Sequence, residues 1–126
     1  MLNMMSGVLT DYVEIHRRRF ARADAEVAVH SQAALSIATR IAEKLVETFC
    51  AQCVVLIGSL ARGDFRDHSD IDLVVAGISA SRFFDACAAA DREAGDIAVD
   101  LIPLEDANPL VLRRIDSEGK ELAHAP

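Results

Sequence analysis

Two aspartates separated by one residue, Asp70 and Asp72, stand at the head of an apolar run from Ile71 to Ala76. Side chains alternate across a strand, so residues two apart project from the same face. Like charges held that close push each other toward the protonated form unless a cation lies between them. A hard divalent ion resolves the conflict, and Mg²⁺ held by one or two carboxylates plus substrate phosphates is the usual form at nucleotide-handling sites. Upstream, Gly58-Ser59 closes another apolar run, Val54 to Ile57. Gly58 has no Cβ to obstruct a phosphate, and Ser59 offers a hydroxyl and a backbone N–H at a turn that can open a helix, where anions are favoured. A third carboxylate, Asp100, is the one charged residue in the strand-like run Ile97 to Ile102. Burying an unpaired carboxylate is costly, so Asp100 also calls for a cation, and a third acid is what a two-metal phosphoryl-transfer site requires.

Taken singly, each feature has a plain explanation. Ser-Asp before an apolar run is a common turn, and Gly-Ser fits any tight passage from strand to helix. The order and spacing of all three features point to a site. Gly58-Ser59, ten intervening residues, Asp70-Ile71-Asp72 and the later Val99-Asp100-Leu101 resemble the signature of the DNA polymerase β-type nucleotidyltransferase superfamily. More narrowly, Gly-Ser-Leu-Ala-Arg-Gly followed by Ser-Asp-Ile-Asp-Leu is similar to the minimal nucleotidyltransferases, small stand-alone members often encoded as antitoxins beside a HEPN-domain toxin. The likeness runs from about Leu35 to about Leu122.

The resemblance implies that Gly58 and Ser59 hold the β- and γ-phosphates of a nucleoside triphosphate, while Asp70 and Asp72 ligate Mg²⁺, two ions being expected. It implies that Asp100 completes the second metal site and helps deprotonate or orient an acceptor hydroxyl. Arg62 and Ser69 match family positions and are implied to support the loop and phosphate, with no single role assigned. Ile57 stands where an aromatic residue is common, and Leu60 where arginine or tyrosine often follows the serine. The implied reaction moves a nucleoside monophosphate, AMP from ATP, onto a hydroxyl, the acceptor being a tyrosine of a partner HEPN toxin. The alternatives are transfer to a small molecule such as an aminoglycoside, or a non-catalytic antitoxin that acts by occlusion.

The elements that must position these residues are legible from periodicity. Neither glycine nor proline occurs from Val8 to Ile57, and Leu35, Ala38, Ile41 or Ala42, Leu45 and Phe49 form one helical stripe. Thr10 to Val29 is helical in composition too, so a long helix or two shorter ones precede the first strand. Such a length exceeds what a small domain can cover. Residues 1–30 are therefore expected to form a helical extension on the nucleotidyltransferase domain of residues 31–126, with Leu9, Tyr12, Val13, Ile15 and Phe20 seeking a second copy or another partner. Downstream, a helix from about Ala80 to Ala94 should end at Gly95, Pro109 should open a short helix through Ile115, and Gly119 should precede a final strand or coil. The expected fold is α+β of the polymerase β type, a small mixed sheet flanked by helices.

A net charge of −7 and a pI near 4.9 oppose a nucleic-acid partner, because such proteins neutralise phosphates with a basic surface. The exception, His16, Arg17, Arg18, Arg19 and Arg22, reads as a solvated helix face before it reads as an acidic-partner patch. No apolar run reaches the ~20 residues of a membrane span and no secretory pattern opens the chain, so a cytoplasmic location is expected. Three cysteines without an export signal suggest free thiols, and Cys50 and Cys53 read as small residues at a helix–strand junction. His68 lies in the loop before Asp70 and is left outside the site.

Overall fold

The computed structural model describes residues 2–126, with side chains described at positions 13, 14, 17 and 29–126. Helix α1 (Leu2–Phe49) leads into strand β1 (Cys53–Ile57), a single turn α2 (Ser59–Arg62) and strand β2 (Ile71–Ala76). Helix α3 (Ala80–Ala94), strand β3 (Val99–Pro103), a 3₁₀ turn (Leu104–Asp106), helix α4 (Pro109–Glu118) and strand β4 (Lys120–His124) follow. Of the stripe expected to seek a partner, Leu9, Tyr12, Ile15 and Phe20 lie outside the described side chains, as do His16, Arg18, Arg19 and Arg22 of the basic cluster. No described helix is long and apolar enough to cross a membrane.

The four strands form one mixed sheet in the order β3-β2-β1-β4. β1 pairs antiparallel with both β2 and β4, whereas β2 and β3 run parallel, joined by the α3 crossover. This is the α+β architecture that the element order implies. The central strands are the most apolar: Val54, Leu56 and Ile57 of β1 and Ile71, Leu73, Val74 and Val75 of β2 are buried. The short tail after Gly119, left open between strand and coil by its composition, becomes β4 because it can pair along the free edge of β1.

One stripe of α1, Ala34, Ala38, Ile41, Ala42, Leu45 and Phe49, belongs to the buried core. The residues recur every three or four positions, as one face of an α-helix does. Leu35, expected on this stripe, is 42% exposed, and Ala34 takes its place. At 100° per residue Leu35 falls on the edge of the face that those six residues define. α3 packs on the same core through Ala86, Ala89, Ala90 and Ala94, small side chains that let the two helices approach closely. The Arg40–Glu93 pair at 3.0 Å and Arg82 over the Phe49 ring at 4.7 Å join them at the rim.

Candidate active site

The site is built where β1 ends and β2 and β3 begin. β1 delivers Gly58, whose φ of 84° and ψ of −161° suit glycine alone. A Cβ at this position would lie 2.5 Å from Oδ2 of Asp72, so the turn and the carboxylate are in intimate contact. Ser59 then opens α2, which closes in one turn as Arg62 N–H donates to the Gly58 carbonyl and Gly63 adopts a left-handed φ of 90°. The N–H groups of Ser59, Leu60 and Ala61 precede any intrahelical acceptor. So short a helix contributes these amides rather than a macrodipole.

The loop that returns to β2 is closed by Ser69. Its hydroxyl accepts the Arg66 N–H at 2.9 Å and its own N–H donates to the Arg66 carbonyl at 2.9 Å. Ser69 thereby sets the approach to Asp70, while its Oγ is engaged with the backbone. Ile71 N–H bonds to the Ala98 carbonyl at 2.9 Å, which locks the start of β2 beside β3. In the resulting parallel ladder Asp72 and Asp100 are direct partners, flanked by Ile71 opposite Val99 and Leu73 opposite Leu101. Asp70, two residues before Asp72, shares its face. Asp100 and Asp70 are thus both near enough for their charge to act on Asp72, which lies beside the Gly58-Ser59 turn.

Asp70 and Asp100 are exposed, Asp100 despite its apolar run because β3 is an edge strand, and Asp72 is the half-buried member. Its carboxyl is raised above the ordinary value first by burial, then by Asp100 and Asp70, with Arg114 and Arg62 opposing. A cation would relieve that repulsion, and an all-oxygen donor set suits Mg²⁺. Among the described residues no three His, Cys, Asp or Glu side chains converge into a ready-made metal cage. Bound ions would therefore need phosphate oxygens and water to complete their coordination, which is the ordinary habit of Mg²⁺.

Arg62 is already paired. Its guanidinium lies 3.1 Å from Glu118 and 3.6 Å from Asp64. Glu118, absent from the sequence reading, also accepts the Gly58 N–H through Oε2 at 2.5 Å, sixty residues away along the chain. It enters because α4 runs one turn beyond Ile115, where the short helix was expected to stop. Asn108 caps that helix by accepting the Val111 N–H at 3.0 Å, and Pro109 supplies its first turn. His68 is exposed in the loop, and His30 reaches Asp67 at 3.3 Å.

The sequence and fold can be set beside known proteins. Residues 39–125 match the polymerase beta nucleotidyltransferase family. No curated protein matches the chain. A crystal structure of a toxin–antitoxin with AMP-PNP is similar with a TM-score of 0.58 at 24% identity, over 69% of this chain and 73% of that one. A mutant form of the MntA–HpeT toxin–antitoxin is similar with a TM-score of 0.52 at 26% identity, over 65% of this chain and 68% of that one. The family match spans well over half of the chain and contains the Gly58-Ser59 turn and all three aspartates, so this protein belongs to the polymerase beta nucleotidyltransferase family.

Proposed function

We propose that this chain is an antitoxin that transfers AMP from ATP to a tyrosine hydroxyl of a HEPN-type toxin. The observation that carries the reading is the pairing of Asp72 with Asp100 across the β2–β3 ladder, with Asp70 on the same face and Gly58-Ser59 beside them. Likeness to the MntA–HpeT toxin–antitoxin supports a protein partner.

In this reading the free amides of the α2 turn and the Ser59 hydroxyl hold the β- and γ-phosphates. Asp70, Asp72 and Asp100 would hold Mg²⁺, whose charge would offset that of the phosphates and leave the α-phosphorus more open to attack. The acceptor oxygen forms a bond to the α-phosphorus as the bond to the β-phosphate bridging oxygen breaks. Pyrophosphate leaves, and the hydroxyl proton passes to the Asp100 carboxylate. Ser69 and the Arg66 backbone keep Asp70 in place throughout.

The test is incubation with Mg²⁺ and each α-³²P-labelled NTP, with and without the product of the adjacent gene. Label on that partner's tyrosine from ATP alone is the expected result. Label on an added aminoglycoside instead would move the assignment to small-molecule transfer. An unlabelled but neutralised partner would make the chain an antitoxin acting by occlusion.

A further inference from the structure

Glu118 joins two parts of the site without belonging to either. Continuing the β1–β4 register beyond Leu56 opposite Lys120 brings Gly58 opposite Glu118. At this point the ladder has ended, and the side chain does what a strand carbonyl would have done: Oε2 accepts the Gly58 N–H at 2.5 Å. The same oxygen lies 3.1 Å from Nη1 of Arg62, and Oε1 lies 3.5 Å from it. The Glu118 side chain is only 14% exposed, so these bonds are partly shielded from water. Gly119 makes the approach possible, since a Cβ there would stand 2.5 Å from the Ile115 carbonyl and 3.0 Å from Val55 Cγ1.

We infer that Glu118 is the positioning residue of the phosphate-binding turn: its carboxylate fixes the Gly58 peptide and anchors Arg62, so that the α2 amides are held ready for a polyphosphate. A carboxylate on a backbone N–H and a guanidinium makes charge-assisted bonds, which are stronger and more directional than neutral ones. The Gly58 N–H points toward the β4 side of β1, whereas the glycine's open face abuts Asp72 on the β2 side. Glu118 therefore steadies the turn from the β4 side, opposite the face against which Asp72 rests. A competing arrangement, in which Glu118 acts as an internal anion excluding phosphate, makes the opposite prediction. The part of the inference that concerns nucleotide rests on the function proposed above; the part that concerns the turn does not.

The test combines amide hydrogen exchange by NMR with titration of AMP-PNP in the presence of Mg²⁺, on the full chain and on Glu118→Ala and Glu118→Gln. In Glu118→Ala the Gly58 amide should exchange at least about tenfold faster, while Val54 and Leu73 in the central strands keep their protection. Glu118→Gln, whose amide oxygen can still accept, should retain most of the Gly58 protection. AMP-PNP affinity should fall about tenfold in Glu118→Ala and less in Glu118→Gln. Unchanged exchange at Gly58 in Glu118→Ala would overturn the inference, and so would equal or tighter binding of AMP-PNP. If the unmodified chain takes up no AMP-PNP, the exchange result alone decides the role of Glu118, and the failure belongs to the proposed function.

Discussion

Gly58 and Asp72 fit against each other so closely that the smallest side chain at position 58 would collide with the carboxylate, 2.5 Å from Oδ2. Glycine is required twice there, once by space and once by a φ of 84°. Gly58→Ala should therefore lose about 1–3 kcal/mol of stability from the backbone alone. It should also lose transfer activity by displacing Asp72. Urea denaturation checks the first expectation and a labelled-ATP assay the second; a variant of normal stability and activity would contradict both.

Asp72→Asn should stabilise the metal-free chain at neutral pH. The folded state raises the Asp72 carboxyl above 3.8, chiefly by burial and then through Asp100 and Asp70, so it binds the proton more tightly than the unfolded chain does. The favourable contribution of the protonated form is full below 3.8 and is lost as pH rises through the raised value. The melting temperature of Asp72→Asn in EDTA should thus exceed that of the parent at pH 7, and the gap should close toward pH 4. Added Mg²⁺ should raise the parent's melting temperature and leave the variant's nearly unchanged. Transfer by the variant should drop by at least about a hundredfold.

Ser59→Ala removes a hydroxyl at the first position of α2 with little change in packing. Its stability should change by less than about 1 kcal/mol, because Ser59 is half-buried and loses one hydroxyl without leaving a cavity. Its KM for ATP should rise about tenfold, as expected for one lost hydrogen bond to a charged phosphate. Steady-state kinetics at several ATP concentrations separate this effect from a change in kcat.

Asn108→Ala should act at a distance. Loss of the bond to the Val111 N–H should cost about 0.5–2 kcal/mol of stability. Because the same helix ends in Glu118, fraying should also weaken AMP-PNP binding, and Asn108→Asp, which keeps an accepting oxygen, should restore both. Thermal melts paired with nucleotide titration would expose a variant in which only stability moves.

Much of this site could be read before any fold was known. The three aspartates announce themselves because each is a charge adjoining or within an apolar strand, and Gly58 because it ends one. Their meeting follows from parallel pairing of β2 and β3 across a helical crossover, and the order of elements implies that pairing. The sequence suggests loop or phosphate support for Ser69, and its hydroxyl is bonded to the Arg66 backbone. Glu118 carried no such signal. It is one of two acids on α4, beside Asp116, and its importance arises from a contact spanning sixty residues that only the β1–β4 pairing creates. The exposure of Leu35 was likewise beyond periodicity, which tolerates a stripe centred one residue away.

The pairing of Asp72 with Asp100 means that their spacing is dictated by main-chain hydrogen bonds rather than by side-chain rotamers. The sheet works as a ruler: neighbouring strands stand about 4.8 Å apart whatever residues they carry. A slip of one position would turn either carboxylate to the opposite face. What guards against it is the oily company on either side, Ile71 against Val99 and Leu73 against Leu101. The chemistry proposed for this site thus depends on hydrophobic residues outside the acidic set, and changes there can silence it while every acidic residue remains intact.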